Sequence, residues 1–194
     1  MVKWYRTFAK WGANAVINIH PHCPQGYEVY NGVPILYSLG NFVFSRGNEE
    51  TDDMWSKGYM AKLVFSKIGK VDLNIIPYTY SQCKLYLMRG DELEYFNKYL
   101  KILSDVIADE QELEKYWLAW CEKFGGEWTK AYLERTSIKN GIEDHYVLYM
   151  RNAFSCEAHN DLFTSYFRAL CNDDLNGLEQ YIDNIEKLQK GLHI

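Results

Sequence analysis

The chain has 194 residues, 47% apolar and 24% charged, with 21 basic against 26 acidic side chains and a formal charge of -5. That balance excludes intrinsic disorder and collagen-like repeats. Without a Lys/Arg run there is no electrostatic footprint for nucleic acid, so none is expected as a partner.

The predicted elements divide the chain into a β-rich part and a helical part. Tyr5 to Trp11 read as a helix ending at Gly12, and Ala13 to Ile19 as a short β-branched strand that opens into a loop at His20. Tyr27 to Tyr30 and Val33 to Leu39 flank Asn31-Gly32, the pair that favours a type I′ hairpin turn. Pro34 lacks a backbone donor, which puts it at an edge or at the start of its strand. Gly47 to Ser56 is polar and acidic and reads as a surface loop. Tyr59 to Ser66 and Val71 to Ile75 alternate in the way of a second hairpin.

After about residue 90 the apolar period changes from two to near 3.6. Asp91 is placed to cap a helix carrying Leu93, Phe96, Leu100 and Leu103 on one face. A second helix carries Leu113, Trp117, Trp120 and Phe124, with Gly125-Gly126 expected to stop it. Glu127 to Lys139 and Glu143 to Phe154 are weaker helical candidates. Firmer helices carry Leu162 to Leu170 and Leu175 to Gln189. The expected class is α/β in the α+β sense, with one domain over residues 1-103 and a helical extension over 104-194.

No apolar stretch reaches the roughly 18 residues of a membrane span. The basic, aromatic N-terminus lacks the apolar core of a secretory signal, so the default compartment is cytoplasmic. Cys23, Cys83, Cys121, Cys156 and Cys171 are odd in number and scattered, without C-x-x-C, and read as buried free thiols.

His20-Pro21-His22 carries the chemistry. Two imidazoles one residue apart at the end of an extended run can converge on metal, and neutral imidazole is a good ligand for zinc, manganese or iron. Two donors alone do not close a metal site, which takes four or more. Cys23 offers a thiol next door, though packing is the commoner fate of such a cysteine. In the tail, Cys156 and His159 lie three apart and could share a helix face, but no second pair accompanies them. A packed cysteine beside a core or capping histidine is the plainer reading, with Asn152 and Asp161 available for a polar network. Trp117 and Trp120 read as core.

Gly12-Ala13-Asn14-Ala15-Val16-Ile17, His20-Pro21-His22-Cys23-Pro24-Gln25 and Glu28 through Ser38-Leu39-Gly40-Asn41-Phe42-Val43-Phe44 together resemble the CapA family of capsule and poly-γ-glutamate synthesis proteins. That family carries GAD-x-V-I-G-x-HPH-x-x-Q followed by E-x-Y-x-G-x-P-I-x-Y-SLGNF-x-F. Asn14 here replaces Asp, and Asn18 replaces Gly. The resemblance implies the C-terminal part of a four-layer α/β/β/α metallophosphoesterase-like sandwich. It also implies two divalent ions in a complete site (manganese, zinc or iron), with His20 and His22 as ligands. Asn41, in the SLGNF match, reads first as capping the local turn, with a place beside the site, reached through its amide, as the alternative.

The family's D-x-H, G-D and N-H motifs have no counterpart here. The resemblance therefore implies that the upstream half of the domain, or a partner chain, completes the site. A catalytically silent fragment or interaction module is the alternative. Family members are often associated with the cell surface.

Overall fold

The computed structural model describes residues 1–44, 54–67, 69–81, 84–135 and 144–190. It belongs to the mixed α+β class. The chain folds as two units, Met1–Glu110 with Lys187–Ile194, and Gln111–Glu186.

In the first unit, helix α1 (Val2–Lys10) leads into β1 (Val16–Ile17), β2 (Tyr27–Tyr30) and β3 (Val33–Leu36). The sheet order is β1-β3-β2, with β1 parallel and β2 antiparallel to β3. Only two residues of the expected 13–19 run pair as a strand. The Asn31-Gly32 hairpin forms as read, with φ of 50° and 82°, the left-handed pair that a type I′ turn needs. Pro34 tolerates the central strand because β1 pairs only with Ile35 and Leu36, beyond it.

Most of the 47–56 loop lies outside the described residues. Its last three, Met54–Ser56, form a 3₁₀ turn with Met54 buried. The second hairpin is β4 (Lys57–Phe65) against β5 (Val71–Ser81), and β5 also pairs with β6 (Lys84–Leu87), a strand not foreseen.

Helix α2 (Gly90–Ala108) turns its Phe96–Leu100 face onto Leu36 of β3 and Tyr59 of β4, so a single core joins this helix to strands of both sheets. Asp91 is not the cap. Gly90, at φ 53°, admits a start with Arg89 as N-cap, two residues earlier, and Asp91 sits in the first turn beside Glu92, where carboxylates still favour the positive end of the dipole.

The second unit holds most of α3 (Glu110–Arg135), α4 (Asp144–Ser155), α5 (Glu157–Asn172) and most of α6 (Glu179–Gln189). Its core groups Ala119, Leu178 and Ile185 with Tyr116, Phe124 and Ile182. The Gly125-Gly126 stop does not occur, and α3 runs through it. Neither glycine turns left-handed, and a Cβ on Gly125 would run into the Tyr166 ring. The glycine serves close approach of α5, not termination. Helix α6 starts later than its apolar spacing implies, because Gly177 at φ 73° breaks the chain, although Leu175 and Leu178 still reach the core.

Among the described residues no helix is long and apolar enough to cross a membrane. The expectation of buried thiols holds for Cys121; Cys23 and Cys156 are half-buried and Cys171 is exposed, while Cys83 lies outside the described residues.

Candidate metal centre

The histidine loop leaves β1 and is fixed at both ends by backbone. Asn18 N–H donates to Leu36 O (3.0 Å), Leu39 N–H to Asn18 O (3.1 Å) and Gln25 N–H to Ser38 O (2.9 Å). Two tyrosines clamp its far side: Tyr99 donates to Pro24 O at 3.2 Å and Tyr59 to Gln25 O at 3.1 Å. Burial raises both phenols well above the ordinary tyrosine value, which keeps them protonated as donors. Asn18 caps the loop itself, its Oδ1 accepting from the backbone of Ile19 (2.9 Å) and His20 (3.2 Å).

Within this frame His20 is exposed and His22 half-buried, with ring centroids 6.2 Å apart. His22 has φ 62°, a left-handed conformation that costs a non-glycine residue of order 1 kcal/mol and persists only when its surroundings impose it. The backbone is anchored as above, and the side chain is held from three sides. The ring stacks on Trp55 (5.3 Å, 19°), Phe44 closes from the side (4.8 Å), and Nδ1 lies 2.8 Å from Asn41 Oδ1.

Asn41 is buried. Its amide donates to Trp55 O at 3.1 Å, and its backbone carbonyl accepts from Tyr78 Oη at 2.7 Å. Burial pushes the Tyr78 phenol up to about 12, so the hydroxyl remains a donor. The turn before Asn41 requires glycine: Gly40 has φ 82°, and a Cβ there would meet Lys57 O at 2.8 Å.

Beside the rings opens a cavity of about 460 Å³, lined by Ile19, Phe42, Val43, Phe44 and Tyr78 among others. The structure thus brings His22 and Asn41 into contact, with His20 adjacent. The partners that sequence reasoning missed are Trp55 and Tyr78, which no spacing signal marks because one arrives from the 3₁₀ turn before β4 and the other from β5.

The donor chemistry suits a divalent transition ion. A centroid separation of 6.2 Å allows each imidazole its own ion of a pair roughly 3.5–4 Å apart. The donor count is short: among the described residues, no group of three His, Cys, Asp or Glu could hold a metal. Cys156 is the N-cap of α5 and His159 its third residue, and no third donor joins them among the described residues. His159 instead meets Asn152 (3.2 Å) and the Trp128 ring (5.0 Å).

Residues 1–46, which carry His20, His22 and Asn41, match the family described as bacterial capsule synthesis protein PGA_cap. The same region is 48% identical over 48 residues to the PGA biosynthesis protein CapA of Bacillus subtilis (strain 168), a match covering 25% of this chain and 13% of that protein. It is also 48% identical over 42 residues to the capsule biosynthesis protein CapA of Bacillus anthracis, covering 22% and 10%. These matches relate the N-terminal segment of the chain, and about a tenth of each relative's length, to the CapA family. The CapA-related segment ends soon after Asn41; β4 to β6 and α2 to α6 lie beyond it.

Proposed function

We propose that His20 and His22 are ligands in a divalent-metal centre of metallophosphoesterase type, and that the chain serves capsule or poly-γ-glutamate biosynthesis through metal-dependent hydrolysis. The observation that carries this reading is the held loop: a left-handed His22 fixed between Trp55, Phe44 and Asn41, with His20 beside it, inside the CapA-related segment. A bound pair of ions would acidify a water and polarise a phosphoryl oxygen. The chain's own residues hold the imidazoles and screen one side of the site with the apolar walls of the cavity.

Two donors leave the shell open. The remaining ligands come, in this reading, from the upstream half of the domain or from a partner chain. A second reading, a catalytically silent interaction module, is favoured by the short donor count among the described residues.

Titration of the purified chain with manganese or zinc by calorimetry, beside the His20→Ala, His22→Ala double variant, decides between the two. Saturable binding that the double variant loses at least tenfold supports the metal centre. Binding that is unchanged by the substitutions, or absent even when the upstream half of a CapA domain is supplied alongside the chain, supports the silent module.

A further inference from the structure

We infer that Asn41 is a positioning residue: it holds His22 in the Nδ1–H tautomer, leaving Nε2 as the donor atom offered to a metal. Its significance for metal binding rests on the reading above, whereas the tautomer itself stands on hydrogen bonding alone.

One fixed acceptor orients the whole network. Trp55 O is a backbone carbonyl and can only accept, so the Asn41 atom 3.1 Å from it must be the amide nitrogen. The other end of the side chain is then Oδ1, and this atom lies 2.8 Å from His22 Nδ1. An amide oxygen only accepts, so Nδ1 must carry the proton, and in the neutral ring Nε2 holds the lone pair.

Asn41 has little freedom to turn over. It is buried, and its own backbone carbonyl is held by Tyr78 Oη at 2.7 Å. A flip would set the amide N–H₂ against His22 Nδ1 and turn Oδ1 towards Trp55 O, leaving two acceptors face to face in a buried place. The imidazole is restrained as well, stacked on Trp55 with Phe44 at 4.8 Å. Ligating histidines generally have the second nitrogen held by such a partner, and losing it costs 10–100-fold in metal affinity. Here that partner comes from the turn after β3, 19 residues along the chain, and the fold of this chain alone puts it in place.

The test is long-range ¹⁵N–¹H correlation spectroscopy on the full chain labelled at histidine, without metal and above the pH range where imidazoles titrate. His22 is assigned by its disappearance in His22→Gln. The expected pattern is Nδ1–H in the wild type, Nδ1–H in Asn41→Asp, which keeps an acceptor, and Nε2–H in Asn41→Ala. An Nε2–H wild type, or an Asn41→Ala spectrum still showing Nδ1–H, overturns the inference.

Zinc titration of the same proteins separates the two layers. Affinity 10–100-fold lower in Asn41→Ala, alongside the tautomer change, supports both. A tautomer change with no zinc binding in the wild type, even with the upstream half of a CapA domain supplied, defeats the metal reading and leaves the Asn41 lock standing. Should Asn41→Ala fail to fold, the wild-type pattern decides alone.

Discussion

Glu28 is the best place to test how the sheet bearing the histidine loop is held to α1. Arg6 grips its carboxylate with two hydrogen bonds, Nε to Oε1 at 2.9 Å and Nη2 to Oε2 at 2.8 Å, and Tyr37 adds a third at 2.6 Å. Tyr5 stacks on Tyr37 at 5.5 Å, so the same residues seat the helix on β2 and β3.

Glu28→Gln keeps the shape and removes the charge. The amide nitrogen then faces a guanidinium donor, and one of the two Arg6 bonds must go. An exposed pair would contribute about 0–1 kcal/mol, while breaking a buried one costs about 3–5 kcal/mol. The side chains here are 14% and 28% exposed, between those limits, so a loss of about 2–3 kcal/mol is expected. In a chain of this size that is a fall in Tm of about 4–12 °C.

The pH dependence has a definite sign. Burial acts to raise the Glu28 carboxyl, but the hydrogen bonds from Arg6 and Tyr37 outweigh it and hold the group below the ordinary 4.5. A lowered folded value contributes stability above the ordinary value and loses it as pH falls through the folded one. Thermal melts from pH 7 downward should show the wild type converging on Glu28→Gln in acid. A variant within about 0.5 kcal/mol of wild type at pH 7, or a gap that persists to low pH, would refute the reasoning.

Gly125→Ala provides a test in which the sign itself decides. Helix propensity alone favours Ala by about 1 kcal/mol, whereas the contact with Tyr166 predicts a loss of about 1–3 kcal/mol. Urea denaturation of the variant distinguishes them, and a gain in stability would show that Tyr166 yields freely. Thiol reactivity gives a further prediction. Burial pushes the Cys121 thiol up to about 12, with the Glu114 charge acting in the same direction, while Cys171 is exposed. Labelling with a disulfide reagent at pH 8, mapped by mass spectrometry, should modify Cys171 in the native chain and Cys121 only after unfolding; rapid native labelling of Cys121 contradicts the packing described.

Local pattern carried the reading where the cause is local. Asn31-Gly32 between alternating runs specifies its turn through two residues that accept positive φ, and the 3.6 spacing of Leu93, Phe96, Leu100 and Leu103 specifies the buried face of α2. It failed where the cause is a distant contact. Gly125 looks like a stop in sequence, and only the Tyr166 ring gives its missing side chain a different purpose. Asp91 looks like a cap, but the left-handed Gly90 moves the helix start.

At the histidine loop the two imidazoles are visible in His20-Pro21-His22, and Asn41 through the segment that resembles CapA. The contacts that shape the loop are not. Tyr99 and Pro24 are 75 residues apart, and Tyr78 and Asn41 are 37 apart, distances over which no periodicity speaks.

The backbone of His22 shows what that shaping requires. If φ 62° is imposed by the loop's anchors, His22→Ala suffers twice, losing the ring contacts with Trp55 and Phe44 and keeping a Cβ in the left-handed region. His22→Gly loses the same contacts without that second penalty. The ring cancels in the comparison, so Gly should be the more stable of the two by about 1 kcal/mol, even though Gly has more conformational freedom to lose on folding. The two variants unfolded in urea under identical conditions give this difference directly. Should Ala equal or exceed Gly, the loop relaxes to negative φ once the imidazole is gone, and the conformation belongs to the ring's own packing. Should Gly win, the anchors at Asn18, Pro24 and Gln25 hold the backbone by themselves, and the loop is preorganised to present whatever side chain stands at position 22.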